Sequence, residues 1–262
     1  MTRKTASRAK SAPTSTPSAA SASASASPVG DDAPVRLQVD EKLYLKDPTS
    51  TRLGRDIVDH GIRLMDEIGY EEFTFRKLAD RIGSTEASLY RYFRSKHLFL
   101  LYLTSYYWSW LEYRIGLATR NIASAEERLR LALRELTQTI LDDADTPHVS
   151  ESALYRIVST ESSKTYLQRE VDAENREGFF RSYKRLCRGV ADLIVEINPA
   201  YPYPVALVST VVESSHRQKY FAEHLPSLTE VKIPSVERST TAFLTELVFV
   251  AIGQKGAPRH AR

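Results

Sequence analysis

Residues 74–96, TFRKLADRIGSTEASLYRYFRSK, constrain the fold of this chain more than any other stretch. Thr74 suits the N-cap of a short helix in which Phe75, Leu78, Ala79 and Ile82 recur at helical spacing, with Arg76, Lys77, Asp80 and Arg81 on the opposite side. Gly83 stands where a helix ends in a left-handed turn and Thr85 is a second N-cap, so only about one or two residues separate two helices. So short a joint throws the second helix across the first, a helix-turn-helix. The second helix is expected from Glu86 to about Tyr92 and buries at most Ala87, Leu89 and Phe93, which leaves small or polar groups on its first turn. A helix end entering a major groove about 12 Å wide needs such a surface. Ser95 predicts another cap, with Lys96 in the first turn, where free backbone N–H groups and the ammonium can hold one phosphate together.

The same residues carry a family resemblance. LADRIGSTEASLYRYFRSK is similar to the signature of the tetracycline-repressor (TetR) family: a Leu-Ala pair, a Gly turn, Leu-Tyr, an aromatic pair, and Lys after a capping Ser. The match spans residue 47 to about residue 103, and beyond it the likeness is architectural. It implies an all-α fold, with an N-terminal three-helix helix-turn-helix DNA-binding head joined by a long helix to a larger helical ligand-binding and dimerisation body. By position, the resemblance places Arg76, Glu86, Ala87 and Ser88 at base edges, and Thr74, Thr85, Tyr90, Tyr92 and Lys96 at phosphates. Two positions depart from the pattern: Ser84 stands where the family has an apolar residue, and Ala87 where Gly is common. Glu86 is an acid beside a polyanion, able either to accept from a cytosine amine or to weaken non-specific binding.

Composition narrows the rest. A formal net charge of +3 over 262 residues permits a nucleic-acid partner without demanding one. The single Cys187 excludes an internal disulfide, and no Cys/His cluster has metal spacing, so neither a metal nor a cofactor is expected. The basic start, MTRKTASRAK, leads into no apolar core, and no run of about 18 apolar residues occurs, so the expectation is a cytoplasmic protein without a membrane span. Residues 1–40 are rich in Ser, Ala, Thr and Pro, with too little apolar surface to offset ordering entropy, and are predicted to be disordered. Arg3, Lys4, Arg8 and Lys10 make this tail either a minor-groove arm or a solubilising segment. Residues 41–100 are expected to form the DNA-binding domain, 101–254 the effector-binding and dimerisation domain, and 255–262 a second disordered tail.

Helices follow from the remaining pattern. Asp47-Pro48 reads as an N-cap with Pro at the first helical position, opening a helix with Ile57, Ile62, Leu64, Met65 and Ile68 as its stripe and Gly69 as its stop. A long helix runs from Ser95 to about Thr119, with Tyr102, Tyr106, Tyr107, Trp108, Trp110 and Tyr113 on more than one face, so it must be covered on several sides. SAEE at Ser124 is a capping box for a helix to about Asp142, and DDADTP is a loop. Further helices are expected from near Ser150, from about Leu167 to Ile197, from Pro204 to about His224, and from Ser235 to Gly253. The VALVSTVV run in the Pro204 segment would suit a strand, but its length and the following SSHRQKYFAEHL favour a helix.

The resemblance further implies that the last two helices pair with their copies in a second subunit as a four-helix bundle. Val208, Val212, Phe243, Leu244, Leu247, Val248 and Ala251 are the candidates for that homodimer interface, with packing inside one chain as the alternative. A small-molecule pocket among the middle helices is implied as well, with Tyr107, Trp110, Tyr155, Tyr166, Phe179, Tyr183 and Cys187 as candidate walls, chosen as aromatic or soft side chains; ordinary core is the competing role for each. The expected function is a sequence-specific, ligand-responsive transcriptional regulator, by resemblance a repressor, binding an inverted repeat as a dimer. The chain lacks GxSxG, HExxH, GxGxxG and a P-loop, and its six histidines are scattered, so no enzyme class is favoured. A helical adaptor that binds protein, its helix pair mere scaffold, is the remaining alternative.

Overall fold

Each of the first six helices begins at a Ser or Thr whose hydroxyl accepts a hydrogen bond from the backbone N–H three residues on: Thr51, Thr74, Thr85, Ser95, Ser124 and Ser150. The computed structural model describes residues 37, 39–138, 140, 142 and 149–253, and among them there are helices and no strand. In chain order the helices are α1 (Arg52–Glu72), α2 (Phe75–Ile82), α3 (Glu86–Tyr90), α4 (Lys96–Thr119), α5 (Ala125–Thr137), α6 (Glu151–Glu161), α7 (Ser163–Tyr166), α8 (Val171–Glu177), α9 (Arg181–Ile197), α10 (Pro204–His224) and α11 (Val236–Ala251). None of these is long and apolar enough to cross a membrane.

Four boundaries differ from expectation. Asp47 caps only a 3-10 turn, Pro48–Ser50, and Thr51 is the true cap of α1. That turn folds back onto α1 at Gly54, where a Cβ would lie 2.3 Å from the Pro48 carbonyl oxygen, so only glycine fits. α1 breaks at Gly69 (φ 74°), as expected, but gains one further turn before Phe73. α5 stops at Thr137, whose hydroxyl bonds the Leu133 carbonyl and Thr241 on α11, and Gln138 is extended. The single helix expected from Leu167 to Ile197 is divided: Gly178 adopts φ 96° and ends α8, and α9 starts afresh at Arg181. Gly178 is a left-handed helix terminator placed inside an otherwise helical pattern.

The predicted tails at 1–36 and 255–262, and the loop at 143–147, lie outside the described residues. The described end of the first tail is not loose, because Leu37 and Val39 pack against the core. From there the chain straps two regions together. Asp40 and Lys42 pair with Arg181 and Glu177, at 3.4 and 2.8 Å, and the Leu45 N–H donates to the Tyr92 carbonyl at 2.7 Å.

The core begins as an aromatic cluster, with Phe73 stacked on Phe99 and the rings of Phe75 and Phe93 edge-on to Phe99. Gly61 of α1 makes this possible, since a Cβ there would meet the Phe99 ring at 2.5 Å. α4, of 24 residues and so about 36 Å long, carries the core onward. It has no solvent stripe for most of its length: Phe99 to Ser105 and Tyr107 to Leu111 are all buried, against the 3-10 turn at Glu41–Leu43, Gly61 and Phe75 at its start and against α5, α6 and α9 farther on. The expectation that so aromatic a helix needs cover on several sides is met in this way. α10 is a helix despite its β-branched run, with Pro204 at its first turn and Leu207, Val208, Val211 and Val212 buried against α5, α9 and α11.

Candidate DNA-binding surface and an interior cleft

The joint between α2 and α3 is built from local hydrogen bonds. The Thr74 hydroxyl accepts from the Lys77 N–H at 3.2 Å, and Gly83 turns the chain in a left-handed conformation (φ 64°), letting the Ser84 N–H reach the Ala79 carbonyl at 2.9 Å. The Thr85 hydroxyl accepts from the Ser88 N–H at 3.3 Å and lies 2.9 Å from the Ser88 hydroxyl. α3 is pinned to the core by Leu89 and Phe93, both fully buried. Its other side is bare, with Thr85, Glu86, Ala87 and Tyr90 exposed and Ser88 half-buried. Ala87, which the sequence allows α3 to bury, stands on that open side.

Thr74 and Arg76 of α2 are exposed beside this turn, Thr74 with its hydroxyl spent on the cap. Arg76 makes no hydrogen bond or ion pair with another described residue, whereas Lys77 is tied to Glu72 and Arg81 grips Glu67 through two bonds of 2.5 and 2.7 Å. Tyr90, 47% exposed, keeps one ring edge on Phe75. A single small surface therefore gathers Thr74, Arg76, Thr85, Glu86, Ala87, Ser88 and Tyr90. Arg91 and Arg94, exposed on the turn after α3, join it and were not among the sequence candidates. The signal for them is the run Arg-Tyr-Phe-Arg, where the buried rings of Tyr92 and Phe93 leave the flanking cations outside.

Two candidates are corrected. Tyr92 is only 3% exposed, and its hydroxyl lies 2.7 Å from that of Thr51, so its polar end is spent inside the protein. The Lys96 ammonium donates to the Tyr70 and Glu71 carbonyls, each at 3.1 Å, and sits 4.6 Å from the Tyr70 ring centroid. It closes the broken end of α1 instead of projecting from α4, because the break at Gly69 turns carbonyls toward it.

The aromatic side chains proposed as ligand walls are mostly packing. Tyr107, Trp110 and Cys187 are buried, Trp108 stacks on Tyr183 with centroids 4.6 Å apart, Phe179 is half-buried, and the Tyr166 hydroxyl donates to Glu213 at 2.6 Å. Burial pushes the Cys187 thiol up to about 11, which keeps it protonated and unreactive. Only Tyr155 of that set lines the cleft of about 540 Å³ found between the tail of α1, α6 and α10. Lys219 and His216 of α10 line it too; burial pushes Lys219 down to about 8 and His216 down to about 3. The sequence candidates missed both, although Val208, Val212, His216 and Lys219 follow helical spacing and so share the buried stripe.

The proposed dimer residues divide. Val208, Val212, Leu244 and Val248 are at most 2% exposed within the single chain, which corrects their assignment: they join α10 and α11 to each other and to α5 and α9. Phe243, Leu247 and Ala251 face outward, together with Val250.

Residues 57–103 match the family model described as bacterial regulatory proteins, tetR family. No curated protein matches the chain in sequence. Among solved structures, the chain is similar to one described as the molecular basis for control of antibiotic production by bacterial hormones, at 15% identity and a TM-score of 0.52, over 77% of this chain and 98% of that one. It is similar also to the superantigen PfiT, at 14% identity and a TM-score of 0.50, over 78% of this chain and 97% of that one. AibR in complex with isovaleryl coenzyme A and operator DNA follows at 17% identity and a TM-score of 0.48, over 72% and 97% of the two chains. The first two of these show a shared fold, and the likeness stops there. The family model is more local: its span starts within α1 and ends in the second turn of α4, enclosing the caps, the left-handed glycine and the bare turn of α3. Over residues 57–103 the chain is therefore similar to the tetR family of bacterial regulatory proteins.

Proposed function

We propose that the chain is a sequence-specific transcriptional repressor that binds an inverted-repeat operator as a homodimer in the cytoplasm and releases it on binding a small molecule. One observation carries the reading: the leading turn of α3 is bare while Leu89 and Phe93 behind it are fully buried. A helix so anchored can enter a major groove with its backbone close to base edges, and Arg76 beside it has a guanidinium free to take a guanine. Thr74, Thr85, Tyr90, Arg91 and Arg94 flank that turn as donors to phosphates, whereas Tyr92 and Lys96 are engaged within the chain. The division of labour proposed is residues 41–100 for DNA and 101–254 for effector and partner.

Dimerisation is supported by α11. One side of this helix is spent on the subunit core through Leu244, Val248 and Phe249, yet Phe243, Leu247 and Val250, at i, i+4 and i+7, give it a second apolar side that is 38–61% exposed. Burying such side chains yields about 1.5–3 kcal/mol each, and a two-fold partner covers identical faces at once. Two heads then meet half-sites about 34 Å apart or a multiple of it. For an effector to release DNA it must prefer the non-binding arrangement, each tenfold preference supplying about 1.4 kcal/mol.

The test is selection of bound sites from random DNA by the full chain, followed by gel shifts across a salt series. An inverted repeat with retention that falls steeply with salt is the expected result. Failure to enrich any symmetric site would favour a helical adaptor whose α2–α3 pair is scaffold.

A further inference from the structure

The cleft between α1, α6 and α10 lies within the size range of small-molecule sites, and its apolar walls include Met65, Ile157 and Val236. Lys219 reaches it from α10 with only 8% of its surface exposed. Its ammonium donates to the Tyr155 hydroxyl at 2.8 Å and the Gln138 carbonyl at 3.2 Å, and lies 4.7 Å from the Tyr155 ring centroid. These partners are neutral, and they use two of the three N–H donors.

No described carboxylate stands within ion-pairing distance of Lys219. Asp66 in the same wall is held by Arg156 at 2.6 Å and Glu161 by Lys164 at 2.8 Å, while Glu223 and Glu237 act on Lys219 only through space. With its pKa near 8 the group remains cationic at neutral pH, so the cleft holds a positive charge that, among the described residues, only Glu237 and Glu223 offset, without a close ion pair. Ser159, one turn beyond Tyr155 on α6, lines the same wall with its hydroxyl buried, near enough to the Tyr155 hydroxyl to act on it but without a well-formed hydrogen bond. A buried polar atom left in this state costs free energy until something bonds it.

We propose that this cleft binds a small organic acid, its carboxylate taking the third donor of Lys219 and the Ser159 hydroxyl, and its hydrocarbon part lying on Met65, Ile157 and Val236. A second clause rests on the ligand-responsive reading above: occupancy is passed to the DNA-binding helices through α1. The α6 helix that carries Tyr155 and Ser159 is also bolted to the tail of α1, through Arg156–Asp66, through Glu161 to the Tyr70 N–H at 3.4 Å, and from α7 through Lys164 to Glu71 at 2.8 Å. An occupant that spreads the cleft must load these links.

The experiment titrates the full chain, without DNA, with octanoate and phenylacetate and with the matched amides. Binding is read by calorimetry and by the fluorescence of Trp108, whose ring centroid lies 6.4 Å from that of His216 in the cleft wall. An acid should bind at least about tenfold more tightly than its amide, and Lys219→Met should abolish that preference. Ser159→Ala removes no well-formed hydrogen bond in the folded chain and should still weaken the acid about threefold, which keeps the test sound even if Lys219→Met disturbs folding. Equal binding of acid and amide, no binding of either acid at millimolar concentration, or a preference that survives both substitutions overturns the cleft assignment and leaves the DNA reading untouched. An acid that occupies the cleft but leaves retention on a selected operator unchanged overturns the second clause alone.

Discussion

The hydroxyl of Tyr92 lies 2.7 Å from the hydroxyl of Thr51, joining the exit of α3 to the cap of α1 across 41 positions of sequence. The bond is half-buried and holds the turn after α3 against the first helix. Tyr92→Phe should therefore cost about 1 kcal/mol of stability in urea denaturation while leaving the salt dependence of DNA retention unchanged. A shallower salt slope in the variant would return Tyr92 to the phosphate contacts.

Lys96→Met removes the ammonium that holds the Tyr70 and Glu71 carbonyls at the end of α1. Charged hydrogen bonds to backbone contribute about 1.5–3 kcal/mol, so the expected result is a fall in the denaturation midpoint with little change in salt slope. Loss of about one unit of slope at wild-type stability would show the side chain swinging out to a phosphate.

Arg76 is exposed and unengaged among the described residues, and that freedom distinguishes it from Lys77 and Arg81. Arg76→Ala should relax preference at one position of a selected operator, at a cost of about 1–3 kcal/mol, measured by gel shift on single-base variants. Equal weakening on every variant would make it another phosphate contact.

His216 gives an acid-sensitivity with a definite sign. Its folded-state value is pushed down to about 3 by burial, below the ordinary 6.5, so the unfolded chain binds a proton that the folded chain refuses. Stability contributed by the neutral ring is present above pH 6.5 and is lost as pH falls from there toward 3, on the order of a few kcal/mol. Denaturation midpoints of the native chain and of His216→Gln across that window should converge on acidification, and parallel curves would sink the argument.

Leu247→Glu places a charge on the outward side of α11, 38% exposed in the single chain, and should yield a folded monomer in sedimentation. Val248→Ala, one residue on but fully buried, should instead lower the unfolding temperature without altering the mass. The two effects exchanged would mean that α11 packs the other way round.

Local chemistry made the helix-turn-helix legible in the sequence: Thr74, Thr85 and Ser95 each meet their partner within one turn, and Gly83 needs nothing distant to adopt a left-handed conformation. The partners of Tyr92 and Lys96 lie 41 and 26 positions away, and no spacing rule reports such pairs. Gly178 was readable as a terminator, but the apolar pattern on either side of it outweighed one residue. Aromatic character misled in the body because rings that fill a core look the same in sequence as rings that face a ligand. Tyr107 and Trp110 went inward, while a lysine and a histidine from a polar-looking run line the cleft. α11 is apolar on two sides, and its packing on α5 and α10, long-range contacts with no spacing signature, decides which of them is buried within the chain.

Phe99 and Trp108 belong to one uninterrupted helix, the first wedged against Gly61 and the second stacked on Tyr183. Gripped near its start and at its middle, and buried over most of the length between, α4 cannot slide past one neighbour there without emptying space that nothing refills. About Trp108 as a pivot, roughly 18 Å from the start of α4, a tilt of about 10° carries that end roughly 3 Å. On the proposed function, small adjustments beside Trp108 are expected to reach α3 as displacements of that size.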